Sequence, residues 1–321
     1  MKHYVFVDYA TQGYMAMVAV LILLFHGTTV PSWPWLVAAH VGGMAVVHWL
    51  IQAQARRPAN RVLDFLRHFY PVLLYTGFYR ETEELNQMFI TGYLDPMFFR
   101  LEERLFGLQP SLAFMESLPY LWVSEPLYAA YFSYYLMIAG VGLALFLRDR
   151  RQFFHYVSVV SFVFYVCYLA YIIIPVVGPR ILYRTIPGYT LPADVVPAMI
   201  PAVPATVESG PIFRLMAWIY ENFEALGAAF PSSHVAVAIT TLWFSFRYLR
   251  RIRWFHAIMV VLLCVSTVYG RYHYVVDVVA GILTAAILVP AGNWLYARFQ
   301  EPLQPEAAAS GAGANAQSAR S

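Results

Sequence analysis

Charged side chains are scarce here: 12% of 321 residues, against 60% that are hydrophobic. That balance excludes an ordinary soluble domain and points to an integral membrane protein. Cysteine is almost missing. Cys167 and Cys264 each sit inside an apolar run, so no disulfide framework or thiolate zinc site can be built from them, and packing is their expected role. The net charge of +3 is small and the arginines fall into short clusters, which argues against a nucleic-acid partner. No internal repeat is found. A signal peptide fits the first apolar run poorly, since only Lys2 precedes it and no small-residue cleavage site follows.

Eight segments approach the roughly 20 apolar residues that a membrane span needs. They lie near 13–30, 34–53, 63–79, 121–147, 153–174, 232–248, 254–270 and 274–296, the third crowded at its start by Asp64, Arg67 and His68. Basic residues mark every second connection: Arg56, Arg57 and Arg61; Arg148, Arg150 and Arg151; Arg247, Arg250, Arg251 and Arg253; then Arg298. Short Lys/Arg-rich loops stay cytoplasmic. Both termini are therefore expected inside an inner (plasma) membrane, with the stretch from Pro175 to Phe230 facing outward. The alternation holds only if the third segment spans.

Two outward segments stand out. "DPMFFRLEERLFG" (95–107) mixes bulky apolar residues with Arg100, Glu102, Glu103 and Arg104, the pattern of a helix lying in the interface. Between Pro175 and Phe230, prolines at 175, 179, 187, 192, 197, 201, 204 and 211 forbid a continuous helix. A lid or binding surface is expected there, with a short amphipathic helix at 212–225. The tail 301–321 is small and polar, and is expected to be disordered.

Three polar clusters fall at the outward ends of separate spans: "PVVGPR" with Arg180, "PSSH" with His234, and "GRYHYVVDVVAG" with Arg271, His273 and Asp277. His273 and Asp277 are four apart, one helical turn, within reach of each other. A carboxylate there would fix the imidazole tautomer and leave the other ring nitrogen as nucleophile or base. Ser232 and Ser233 open a helix whose first N–H groups favour an anion. Arg180, Arg184 and Arg271 supply forks suited to phosphate oxygens. Each feature alone has an ordinary reading: an interfacial histidine, a structural ion pair, a snorkelling arginine. Together they describe a site for phosphoryl transfer. A transporter using the same cluster for anion or proton passage is the competing class, but it would need polar groups deep in several spans.

"PSSHVA" followed by "RYHYVVDVVAG" resembles the second and third motifs of the type 2 phosphatidic acid phosphatase superfamily, over roughly Tyr171 to Pro290. The "PxxGPR" before them looks like the branch containing inositol phosphorylceramide synthase-like phosphotransferases, and so, less specifically, does "LFGLQPSLAFMESLP". The resemblance implies an all-α membrane bundle of about eight spans with a six-helix core and outer interfacial helices. It divides the chain into 1–120, N-terminal helices and interfacial segment; 121–300, catalytic core; and 301–321, tail. It implies His273 as nucleophile, Asp277 as its orienting partner, His234 as general acid, and Arg180, Arg184, Arg271, Ser232 and Ser233 around the phosphate. It implies no metal or cofactor, a lipid phosphate or phosphodiester substrate, surrounding membrane lipids, and water or an alcohol as acceptor. Three positions depart from the family pattern: Ile173 stands where the first motif has lysine, Ser233 where the second has glycine, and Thr267 where the third has arginine.

Overall fold

Proline, asparagine, aspartate and serine set the starts of the helices. In a computed structural model that describes residues 3–182, 186, 189–195 and 202–299, thirteen helices are present: α1 (Phe6–Phe25), α2 (Trp33–Arg56), α3 (Arg61–Leu85), α4 (Asp95–Phe106), α5 (Pro110–Ser117), α6 (Leu121–Arg148), α7 (Arg150–Ile173), α8 (Pro179–Leu182), α9 (Ala205–Glu208), α10 (Pro211–Phe223), α11 (Ser233–Tyr248), α12 (Arg253–Tyr269) and α13 (Val275–Phe299). Prolines occupy the first turns of α2, α4, α5 and α10, where a missing N–H is harmless. Asn60 accepts from the N–H groups of Val62 and Leu63 to open α3, and Asp149 accepts from Arg151 N to open α7. Arg184 and the tail 301–321 lie outside the described residues.

Five helices, α1, α2, α6, α7 and α13, are long and apolar enough to cross a membrane. α3 runs beside them for 25 residues with charges at both ends, while α11 and α12 have 16 and 17 residues. The basic connections gather at one end of the bundle. There Arg148 donates to Tyr248 O at 2.6 Å, Tyr296 donates to Arg151 O at 3.3 Å, and Arg150 lies 3.9 Å from Asp64.

α1 starts and stops earlier than the apolar run at 13–30 suggests. Its first turn admits Asp8 because the buried carboxylate accepts from Val5 N at 2.8 Å, Tyr70 Oη at 2.6 Å and Arg67 Nη2 at 2.6 Å. A buried charge is tolerated only when paired in this way, and hydropathy alone cannot see a partner 59 residues on. After Phe25 the chain turns at Gly27, whose φ is +49°.

α7 is the central column, packed by α1, α3, α6, α11 and α13. At the end opposite the arginines, α4, α5 and α8–α10 cover the bundle. α4 and α10 form where helices were expected, at 95–107 and 212–225. No continuous helix forms between α7 and α9 among the described residues. Among the described residues there is no strand, only an isolated parallel bridge between Val176 and Ala228. In it Val176 N donates to Gly227 O at 3.3 Å and Ala229 N donates to Val176 O at 2.8 Å, so the two ends of the long loop are tied beside the start of α11.

Candidate active site

The loop between α12 and α13 folds back on the helix that precedes it. The N–H groups of Tyr272 and His273 both donate to Thr267 O, at 2.9 and 3.1 Å, and Arg271 takes a left-handed φ of +61° to make the turn. His273 then points along the start of α13. Its Nδ1 lies 3.4 Å from Asp277 Oδ2, and the same oxygen accepts from Tyr274 N at 2.9 Å. Asp277 thus closes the first turn of its own helix and fixes the imidazole with one group.

His234, the second residue of α11, faces this pair. Its Nδ1 is 3.4 Å from His273 Nε2, and its Nε2 is 3.1 Å from Tyr131 Oη on α6. Tyr131 in turn contacts the hydroxyl of Tyr220 on α10. With Asp277 beside Nδ1, the Nε2 lone pair of His273 is the one turned toward His234. Burial pushes the His273 imidazole down to about 4, opposed only in part by a backbone hydrogen bond to Ala229. The ring is neutral at neutral pH, as a nitrogen nucleophile must be.

The start of α11 is sewn in place from both sides. Ser232 N donates to Asp277 O at 3.2 Å, Ser233 N donates to Tyr171 Oη at 3.2 Å, and Tyr171 donates to Pro231 O at 3.1 Å. Ser232 Oγ accepts from Val235 N at 3.4 Å as the cap. The amides of Ser232 and Ser233 are therefore occupied within the protein. The His234 N–H makes no hydrogen bond among the described residues. α13 approaches this turn closely because residue 281 is glycine: a Cβ there would fall 2.7 Å from Ser232 O.

Arg180, on α8, pairs with Glu224 and lies over the rings of Tyr220 and Tyr272, at 4.6 and 5.5 Å. It belongs to the same neighbourhood, with its charge matched by a carboxylate. Arg271 is buried, with Nη2 4.0 Å from Glu116. The structure thus brings His273, Asp277, His234, Ser232 and Ser233 together, sets Arg180 behind two tyrosine rings, and turns Arg271 toward α5. Among the described residues, no group of three or more His, Cys, Asp or Glu side chains is disposed to hold a metal ion.

Asp95 and Glu102, in the stretch expected at the interface, are buried beneath the site. Asp95 accepts from Val177 N and Gly178 N, each at 2.8 Å, and from Tyr274 Oη at 3.1 Å. Glu102 accepts from Val275 N and from Val276 N, the latter at 3.3 Å, at the head of α13. Burial raises both, each to about 7. Together they tie the segment carrying Arg180 to the loop carrying His273. The signal was present in the spacing: positions 95, 98, 99 and 102 form one helical stripe, and all four are buried.

A cavity of about 700 Å³ opens beside His234 and Ser233 and runs along α7 toward Phe69 and Phe153 at the arginine end. Its walls are almost wholly aromatic and aliphatic.

No curated protein and no solved structure matches the chain significantly. Residues 97–291, which include Glu102, His234, His273 and Asp277, match the family model of the PAP2 superfamily. That stretch covers more than half of the chain, and the protein belongs to the PAP2 superfamily.

Proposed function

We propose that the protein transfers a phosphoryl or phosphodiester group from a membrane lipid through a phosphohistidine at His273. The observation that carries this reading is the imidazole pair: His273 Nε2 turned to His234 Nδ1, with Asp277 behind the other ring nitrogen and an apolar cavity opening at His234. In the first step the Nε2 lone pair of His273 attacks phosphorus and the bond from phosphorus to the leaving oxygen breaks. His234, held as the imidazolium beside the anionic phosphate, gives that oxygen its proton and becomes neutral. In the second step the acceptor oxygen attacks phosphorus, its proton passes to His234, and the bond to His273 Nε2 breaks. Asp277 balances the charge that His273 gains as the bond forms.

Tyr131 Oη holds His234 by Nε2 and leaves Nδ1, the nitrogen that faces His273, to carry the transferred proton. At 3.4 Å the two rings leave no room for phosphorus between them, so substrate entry turns His234 toward the cavity it lines. Superfamily membership supports action on a lipid phosphate. The finer reading is an inositol phosphorylceramide synthase-like transferase, favoured over a lipid phosphate phosphohydrolase by the "PVVGPR" segment. The chain is read as eight spans with both termini cytoplasmic and this site on the extracytoplasmic face, in line with the arginine clusters at the opposite end.

Purified protein given labelled phosphatidic acid, or a labelled phosphodiester lipid, with and without inositol as acceptor tests the reading. Label moving into the alcohol supports a transferase, and release as free phosphate alone supports the hydrolase. Wild-type turnover by a folded His273→Ala protein would refute the phosphohistidine mechanism.

A further inference from the structure

α3 and α6 both pack on α7 but scarcely on each other. The space between them is the cavity that begins at His234. Its upper end is roofed by Ile219, Tyr220 and Phe223 of α10. Its inner end is shut where Phe69 of α3, Phe146 of α6 and Phe153 of α7 meet, with ring centroids 4.8, 5.1 and 5.2 Å apart.

Along α7 the lining extends from Tyr168 to Phe153, which at about 1.5 Å per residue is ~20 Å. One leaflet of a bilayer whose core is ~30 Å thick accounts for about 15 Å, so the cleft is deep enough for one full hydrocarbon chain. It is open sideways: Val72, Tyr135 and Leu143 belong both to its lining and to the exposed surface. A lipid could pass between α3 and α6 without leaving the bilayer.

We propose that this cleft holds one hydrocarbon chain of the substrate while its phosphate lies at His273, and that the Phe69–Phe146–Phe153 cluster sets the longest chain accepted. The proposal rests on the lipid-phosphate reading above. It commits to a lipid chain because the cleft is continuous with the imidazole pair through His234 and because its mouth faces the side of the bundle. α3, which contributes Phe69, forms one wall and lies outside the stretch matched to the family, whereas α6 and α7, with Phe146 and Phe153, lie within it.

Two measurements separate this proposal from the reading beneath it. In the first, wild type, Ala139→Trp and Phe69→Ala proteins are compared on short- and long-chain phosphatidic acids in mixed micelles. Ala139→Trp fills the middle of the cleft and should lower the long-to-short ratio of kcat/KM by about tenfold or more, since even one misfitted methylene in an apolar pocket can shift it about tenfold. Phe69→Ala should move the preference toward longer chains. Unchanged ratios in both would overturn the proposal. In the second, a phosphatidic acid bearing a diazirine at the end of one acyl chain is photolysed with wild-type and His273→Ala proteins, and the labelled peptides are mapped. Labels on Phe69, Gly142 or Phe153 in both proteins support the cleft, and labels confined to the outer faces of α2 and α13 refute it. Turnover surviving in His273→Ala would instead remove the mechanism and leave the labelling pattern to judge the cleft.

Discussion

Replacing Asp95 by alanine should loosen both segments that carry the site. Its carboxylate is the acceptor for Val177 N, Gly178 N and Tyr274 Oη, all in a buried setting. Stranding a buried donor costs about 1–3 kcal/mol, so three together should destabilise by roughly 3–6 kcal/mol once partial relaxation is allowed. Asp95→Asn keeps one acceptor oxygen and sets an NH₂ against Val177 N, for a loss of about 1–3 kcal/mol. At roughly 2 °C per kcal/mol for a chain of this size, thermal unfolding in detergent at a fixed scan rate should fall by about 6–12 °C for alanine and several degrees for asparagine. Turnover should drop with it, because Tyr274 adjoins His273 and Gly178 lies two residues before Arg180. The pH dependence has a definite sign. Burial raises Asp95 to about 7, above the usual ~3.9, so its contribution is full below pH ~4 and is lost as pH rises through about 7. The stability gap between wild type and Asp95→Asn should narrow over that window. An Asp95→Ala protein that unfolds within about a degree of wild type would refute the reasoning.

Further consequences can be checked by the same assays. Gly178 has φ +87° and a Cβ on it would lie 2.6 Å from Tyr272 O, so Gly178→Ala should cost at least about 1–2 kcal/mol in backbone strain and lower kcat by displacing the His273 loop; unaltered unfolding and kinetics would contradict this. His234→Ala should reduce kcat about 10²–10⁴-fold, the usual worth of a positioned acid–base group, and a loss below tenfold would deny it that role. Tyr131→Phe removes one hydrogen bond to His234 Nε2, worth about 0.5–1.5 kcal/mol; a two- to roughly tenfold fall in kcat should follow. The acid limb of the pH–rate profile should fall near pH 4, since His273 acts unprotonated and burial holds it at about 4; a limb centred near the ordinary ~6.5 would show the ring solvated.

Most of this layout was legible because period and charge placement carry it. Apolar runs bounded by prolines located the helices, and the arginine clusters correctly grouped their ends. The stretch at 95–107 was legible as a helix, but not its role: its mixed pattern suggested the membrane interface, whereas Asp95 and Glu102 are buried and accept from backbone N–H groups of residues 177–178 and 275–276. Those partners lie some 80 and 173 residues away in sequence, beyond any local pattern. The same distance hid the Asp8–Arg67 pair and so misplaced the start of α1. At the site, the four-residue spacing of His273 and Asp277 was sufficient, because a helix turns spacing into contact. That His234 would meet His273 across the loop, and that Tyr131 would stand behind it, depended on the packing of α6 against α11. Tyr131 is fully buried, and helical periodicity assigns its ring to packing but not its hydroxyl to His234. Arginine was least legible. Residue type suits Arg180 to phosphate oxygens, but its pairing with Glu224, 44 residues on, is beyond any local pattern.

The central claim is a covalent bond between phosphorus and His273 Nε2. Rapid acid-free quenching of the protein during turnover of a phosphorus-labelled lipid phosphate, followed by peptide mapping, tests it directly. An alkali-stable, acid-labile label on the peptide containing His273, absent from His273→Ala, is the predicted result. Steady turnover with no label on that peptide, or label that persists in His273→Ala, would contradict the account.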